Sequence, residues 1–208
     1  MEPLKIGVYG SSFDPITNVH LWTASTICHR KKLDKILFLP SAKERRDKSL
    51  QGGDEHRTEM VKLAIADDPR FDLSTEEMNA SIGQQYTYYT MQRLKKQYPD
   101  DELYFVMGAD ILVDIGNGSW VKGEKLVEEH QFIVMARDGI DMLKTISASP
   151  LLRNADDGRF HLVDKGLAME ISSTYIRQEF SRGGEPRYLL PESCYQYILR
   201  HGLYQDSE

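Results

Sequence analysis

Lys5-Ile6-Gly7-Val8-Tyr9-Gly10-Ser11-Ser12-Phe13-Asp14-Pro15-Ile16-Thr17-Asn18-Val19-His20 begins as an apolar run, breaks into small and turn-forming residues, and resumes as a helix-like stretch. Lys5–Tyr9 is compactly apolar rather than alternating, as in a parallel strand buried on both faces. Gly10, Ser11 and Ser12 allow a tight turn that presents backbone N–H groups, and Pro15 fixes one turn dihedral. A helix over Val19–Arg30 follows, and its free N–H groups and positive dipole end make an anion seat. Thr17 and His20 are spaced to share one side of that helix start, where a hydroxyl and an imidazole N–H could meet one phosphate. Thr17 as a plain N-cap and His20 as an ordinary histidine are the alternatives. The loop carries neither G-x-x-x-x-G-K-[ST] nor G-x-G-x-x-G.

Outward from this unit, short apolar runs alternate with helix-length stretches. Further strands are expected at Lys35–Leu39, Arg70–Leu73, Leu103–Met107, Phe132–Met135 and Phe160–Leu162. Helices are expected at Asp54–Asp67, Thr87–Tyr98 and Gly123–Glu129. This β-α alternation predicts an α/β fold with an open, doubly wound parallel sheet. After Phe160–Leu162 two last helices are expected, Ser172–Ser181 capped by Ser172 or Ser173, and Pro191–His201 with proline in its first turn. No repeat or linker divides the chain. Residues 1–208 read as one domain, with an α/β core over 1–165 and a small C-terminal helical part over 166–208. Ligands of such sheets lie beyond the carboxyl ends of the strands.

The bulk composition narrows the function classes. The chain has 208 residues, 40% hydrophobic and 28% charged, with a formal charge of −6. That balance is ordinary for a globular protein and opposes a phosphate-backbone-binding surface, so no nucleic-acid partner is expected. No apolar run approaches the ~20 residues that span a bilayer, and the start lacks a signal-peptide pattern. Cys28 and Cys194 stand far apart, which disfavours a disulfide framework or a cysteine metal site. The histidines lack ligand spacing, so no protein-held metal is expected. The chain reads as cytoplasmic, without a membrane partner. Self-association is left open.

Ile171-Ser172-Ser173-Thr174-Tyr175-Ile176-Arg177 places two serines and a threonine at a helix start, with an arginine one turn on. Hydroxyls and N–H groups there suit phosphate oxygens, and Arg177 adds a forked donor. G-x-x-F-D-P-I-T-x-x-H followed much later by I-S-S-T-x-I-R resembles the nucleotidyltransferase superfamily with its (H/T)-x-G-H and I-S-S-T-x-x-R motifs. More closely, the chain resembles the bacterial nicotinate-nucleotide adenylyltransferases. Glu55-His56-Arg57, Tyr86-Thr87, Gly108-Ala109-Asp110, Trp120, Tyr188-Leu189-Leu190-Pro191 and His201-Gly202-Leu203-Tyr204 extend the likeness over nearly the whole length.

The resemblance implies a Rossmann-like nucleotidyltransferase that joins ATP and nicotinate mononucleotide into deamido-NAD with release of pyrophosphate, Mg²⁺ being held through the ATP phosphates. It implies that His20 contacts the α-phosphate, with Thr17 in the place of the first motif residue. Gly10, Ser11, Ser12 and Phe13 would support phosphates, and Ser173, Thr174 and Arg177 would grip the leaving group. Lys48, in the basic run Lys43–Lys48, would meet ATP, the alternative being a solvated loop. Asp110 would take a ribose hydroxyl. Tyr86, Thr87 and Trp120 would receive the pyridine ring. Val19 replaces the motif glycine, which predicts a narrower adenosine pocket. Gly116-Asn117-Gly118-Ser119 is expected to be a flexible turn, and Val121 stands where many relatives carry an aromatic. Nicotinamide mononucleotide and phosphopantetheine remain alternative acceptors, and a regulatory nucleotide binder remains an alternative class.

Overall fold

The computed structural model describes residues 2–43, 50–81, 83–164 and 171–205. Among the described residues, six strands form one sheet: β1 (Lys5–Ser11), β2 (Lys35–Pro40), β3 (Phe71–Leu73), β4 (Glu102–Gly108), β5 (Gln131–Met135) and β6 (Phe160–Val163). Their order is β3-β2-β1-β4-β5-β6 and every pairing is parallel. The doubly wound sheet read from the apolar runs is therefore the observed fold. Each expected strand is present, with ends shifted by at most two residues.

Why both faces are covered is visible along the strands. Ile36, Phe38, Tyr104, Val106 and Ile133 enter one buried cluster, while their neighbours Leu37, Leu39, Leu103, Phe105, Phe132 and Val134 enter the other. Alternate side chains point to opposite faces, so a run apolar at every position fills two cores at once. The first core packs helices α1 (Asn18–Lys31) and α2 (Asp54–Ile65) on one face. The second packs α3 (Thr87–Gln97), α4 (Ala109–Gly116), α5 (Gly123–Glu129), α6 (Met142–Ala148) and α7 (Pro150–Ala155) on the other. The C-terminal helices α8 (Ser173–Ser181) and α9 (Glu192–His201) share the first core through Ile176, Phe180, Cys194 and Ile198. Ser172 is the N-cap of α8, its side chain accepting from the Tyr175 N–H. Three helices, α4, α6 and α7, stand where no helix was expected.

The segment Gly116–Ser119 is a bonded helix end. Asn117 caps α4, the Ser119 N–H reaches the Asp114 carbonyl at 3.0 Å, and the Ser119 hydroxyl lies 2.6 Å from Asn117 Oδ1. Local hydrogen bonds thus hold a turn that composition alone marks as flexible.

At the amino end of β5, between β4 and β6, His130 has 5% of its surface exposed. Burial, with Glu129 opposing and Lys95 adding, lowers its pKa from 6.5 to about 4. The unfolded chain binds this proton near 6.5 and the folded chain only near 4, so the stability it allows is complete above 6.5 and falls as pH drops from 6.5 toward 4. His20 is depressed to the same value and adds to this slope. We expect the urea midpoint to fall between pH 7 and pH 5, with His130 accounting for on the order of 2 kcal/mol. His130→Leu should flatten that profile; an unaltered pH slope in the variant would show that His130 is not its source.

Candidate functional site at the sheet switch point

The strand order reverses between β1 and β4, and the crevice beyond their carboxyl ends is where such sheets bind ligands. The loop after β1 and the start of α4 flank this crevice. Thr17 is fully buried and caps α1, and the cap is reciprocal with His20. The Thr17 N–H donates to His20 Nδ1 at 3.0 Å, and the Thr17 hydroxyl lies 2.9 Å from the same nitrogen. A backbone N–H can only donate, so Nδ1 carries the lone pair and the neutral ring bears its proton on Nε2. The threonine hydroxyl expected on a phosphate therefore sits against the imidazole and orients it.

His20 stands in an aromatic recess, with Phe13 edge-on at 5.0 Å and Tyr9 at 6.2 Å. This burial is the main cause that lowers the His20 pKa from 6.5 to about 4, and the Arg137 charge adds to it. The ring is neutral at pH 7 and presents a polarised N–H rather than a full charge. Tyr9, raised to about 12 mainly by burial, is also a neutral group at that pH. Phe13, wholly buried, holds φ at 45°, a left-handed conformation that costs a bulky residue on the order of 1–3 kcal/mol. Val19 lies half-buried in the first turn of α1 with helical backbone, so a β-branched side chain meets no dihedral penalty there.

The start of α8 is brought onto this loop. Ser173 Oγ donates to the Pro15 carbonyl at 2.8 Å, and Arg177 Nη1 donates to the Asp14 carbonyl at 2.6 Å. Arg177 Nη2 lies 3.2 Å from Thr174 Oγ1, and its buried Nε has no partner. Neither α1 nor α8 has an acidic residue in its first turn, whereas α2, α4 and α5 each have one or more. Two uncompensated positive helix ends thus meet beside one imidazole and one guanidinium. The Ser173 hydroxyl is already committed to Pro15, which leaves the N–H groups of this turn to face an anion.

Across the crevice, Asp110 occupies the first turn of α4 with Oδ1 buried and unpartnered and Oδ2 3.8 Å from Arg137 Nη1. Gly108 makes the close approach possible, since a Cβ there would lie 2.3 Å from Asp110 Oδ1. Arg137, just after β5, acts electrostatically on His20 and Tyr9 while pairing with Asp110, so it links both sides of the crevice. Sequence reasoning missed it; an arginine in a loop after a predicted strand was the available signal.

Tyr86 caps α3 and is partly exposed, and Thr87 begins that helix, buried. Trp120 packs partly buried on the second core, its backbone N–H bonded to the Asp114 carbonyl at 3.1 Å. Lys122 places its ammonium 5.3 Å from the Tyr89 ring and 6.0 Å from the Tyr88 ring, which joins the two segments. Lys48 lies outside the described residues. Among the described residues no group of three or more His, Cys, Asp or Glu is arranged to hold a metal, and no helix is long and apolar enough to cross a membrane.

Beneath the site lies a buried network also missed from sequence. Asp14 is fully enclosed and accepts from the Gln51 N–H at 2.8 Å, the Gly52 N–H at 2.9 Å and the Tyr204 hydroxyl at 2.6 Å. Arg57, equally enclosed, donates to the carbonyls of Gly52, Ser12 and Ser41 and to Asp54.

A parallel sheet with two helix starts meeting at its switch point, neither with an acidic first turn, has the form of a nucleotide-binding α/β protein. The chain belongs to the cytidylyltransferase-like family, whose profile matches residues 8–179. It is 36% identical over 202 residues to the nicotinate-nucleotide adenylyltransferase of Bacillus subtilis, covering 97% of this chain and 98% of the relative. The nicotinic acid mononucleotide adenylyltransferase of Plasmodium falciparum complexed with NaAD superposes with a TM-score of 0.77 at 26% identity, covering 97% of each chain. The same enzyme complexed with APC superposes with a TM-score of 0.75 at 25% identity and the same coverage.

Proposed function

We propose that this chain transfers the adenylyl group of ATP to nicotinate mononucleotide, producing deamido-NAD and pyrophosphate in NAD biosynthesis. The observation that carries this reading is the meeting of the α1 and α8 starts, bonded through Ser173 to Pro15 and Arg177 to Asp14. The acceptor's 5′-phosphate oxygen bonds to the α-phosphorus of ATP as the bond to the bridging oxygen breaks, and that electron pair leaves with pyrophosphate. A phosphate monoester has its second pKa near 6 and needs no protein base at neutral pH. The protein's task is positioning and charge stabilisation.

His20 Nε2–H donates to an α-phosphate oxygen, and Thr17 fixes that tautomer. Gly10 and Ser11, expected in a turn but forming the end of β1, support the phosphates from below together with Ser12 and Phe13 of the loop that follows. Arg177 and the N–H groups of Ser173 and Thr174 hold the β,γ-phosphates as they depart. Asp110, with its unpartnered oxygen, accepts a ribose hydroxyl, and Arg137 offsets charge in the crevice. Tyr86, Thr87 and Trp120 receive the pyridine ring. The relatives named for nicotinate support nicotinate mononucleotide as the acceptor. The residues fit a Mg²⁺ carried by ATP phosphates and water rather than by a protein cage; it would neutralise phosphate charge. A cytoplasmic setting supplies these substrates.

Pyrophosphate release by the purified chain with ATP and each pyridine mononucleotide in turn tests the reading. We expect a higher kcat/KM with nicotinate mononucleotide. Equal or greater efficiency with the nicotinamide form would reverse the substrate assignment, and no release with either would remove the enzyme reading.

A further inference from the structure

We infer that Tyr204, near the end of the chain, is a positioning residue that keeps Arg177 available to the leaving pyrophosphate; this rests on the transfer reading above. The link is geometric. Tyr204 donates its hydroxyl to Asp14 Oδ1 at 2.6 Å, and Asp14 Oδ2 lies 3.9 Å from Arg177 Nη1. The same Nη1 is bonded instead to the Asp14 backbone carbonyl at 2.6 Å. A fully buried carboxylate must be supplied with donors. Here the Gln51 and Gly52 N–H groups and the Tyr204 phenol supply neutral ones. Burial and the adjoining Asp14 carboxylate raise the Tyr204 pKa, so the phenol remains a donor.

With that demand met, Arg177 is not drawn into a tight ion pair with Asp14, and its Nη2 and unpartnered Nε stay free of the carboxylate. Without the phenol, Asp14 Oδ1 loses its shortest bond in a site closed to water. The adjacent movable donor is the Arg177 guanidinium, which turns inward and withdraws from the crevice. Gly52 keeps the contact open, since a Cβ there would lie 2.6 Å from Asp14 Oδ1 and 2.7 Å from Tyr204 Oη. Tyr204 also faces Phe180 of α8, ring centres 6.4 Å apart, so phenylalanine at this position preserves the apolar contact and removes only the donor.

Tyr204→Phe in the full chain is therefore expected to raise the KM for ATP about tenfold and to weaken inorganic pyrophosphate binding similarly, the effect of about one charge-assisted hydrogen bond. The KM for the pyridine mononucleotide should stay within about twofold, since its contacts lie on α3 and beyond α4. In an Arg177→Ala background the same substitution should change ATP and pyrophosphate binding by less than about twofold, because the residue it acts through is gone. Equal losses for both substrates, or a full tenfold effect persisting without Arg177, would overturn the inference. A wild-type chain that binds pyrophosphate but transfers nothing would refute the transfer reading alone, and weaker pyrophosphate binding by Tyr204→Phe would still uphold this one.

Discussion

His20→Ala is expected to lower turnover by about 10²–10³-fold, the range seen when one preorganised donor is taken from an oxyanion site. The imidazole is neutral at working pH, its pKa held at about 4 mainly by burial. Its contribution is therefore the Nε2–H dipole, aimed by the Thr17 N–H on Nδ1 at 3.0 Å and by the Thr17 hydroxyl at 2.9 Å. Alanine removes the donor and also leaves the Thr17 N–H without its side-chain acceptor. That second loss is one half of the reciprocal cap at the start of α1, since the Thr17 side chain still accepts from the backbone N–H at position 20, and it costs no more than about 1 kcal/mol and a few degrees in Tm. The two effects separate cleanly: steady-state pyrophosphate release should collapse while the thermal midpoint moves little. His20→Asn, which keeps a side-chain oxygen near the Nδ1 position, should recover the midpoint but not the rate. Turnover within tenfold of the wild type in either variant would take His20 out of the reaction.

Much of this arrangement was open to reading in the sequence because it rests on local patterns. The strands were visible as short apolar runs, since each fills two cores at once, and both anion-facing helix starts were visible as clusters of hydroxyl residues before a helical stretch. The missed helices have physical reasons. α4 starts at the residue after β4 and, apart from Asp110 and Asp114, its eight residues continue the apolar run of the strand, which masks the change of period at the junction. α6 and α7, seven and six residues long, follow one another with only Ser149 between them, so neither shows as a separate periodic stretch, although Asp141, Ser149 and Pro150 were legible as caps and first-turn residues. The roles of Asp14, Arg57, Arg137 and Tyr204 could not be read at all, because each depends on partners from distant segments.

Those missed residues explain how the legible ones acquire their geometry. The motif loops supply donors, but a loop with φ at 45° at Phe13 does not hold itself in place. Its carbonyls at Ser12 and Asp14 are gripped by Arg57 and Arg177, and the Asp14 carboxylate by the segment before α2 and by Tyr204. Positioning to a fraction of an ångström, on which a transfer without a protein base depends, comes from this buried layer.

The same layer sets the largest expected loss of stability, at Arg57. Its guanidinium is wholly buried and donates to Gly52 O at 3.2 Å, Ser12 O at 2.6 Å, Ser41 O at 2.6 Å and Asp54 Oδ1 at 2.5 Å. Arg57→Met keeps much of the aliphatic volume yet strips every one of these bonds. The Asp54 side chain is 38% exposed and can turn to water, so its share of the loss is small. The Ser12 carbonyl is half-buried, but the buried Gly52 and Ser41 carbonyls cannot turn to water, and each unsatisfied buried group costs about 1–3 kcal/mol. A total of about 3–5 kcal/mol is expected, comparable to breaking a buried ion pair and a large part of the ~5–15 kcal/mol that holds a domain together. Arg57→Lys should fall between, because an ammonium keeps the charge but cannot reach three carbonyls with one fork. Urea unfolding of the three proteins should rank wild type above lysine above methionine. A methionine variant within about 1 kcal/mol of the wild type would mean that water or neighbouring donors replace the guanidinium, and that the β1 loop is held by Asp14 and Arg177 instead.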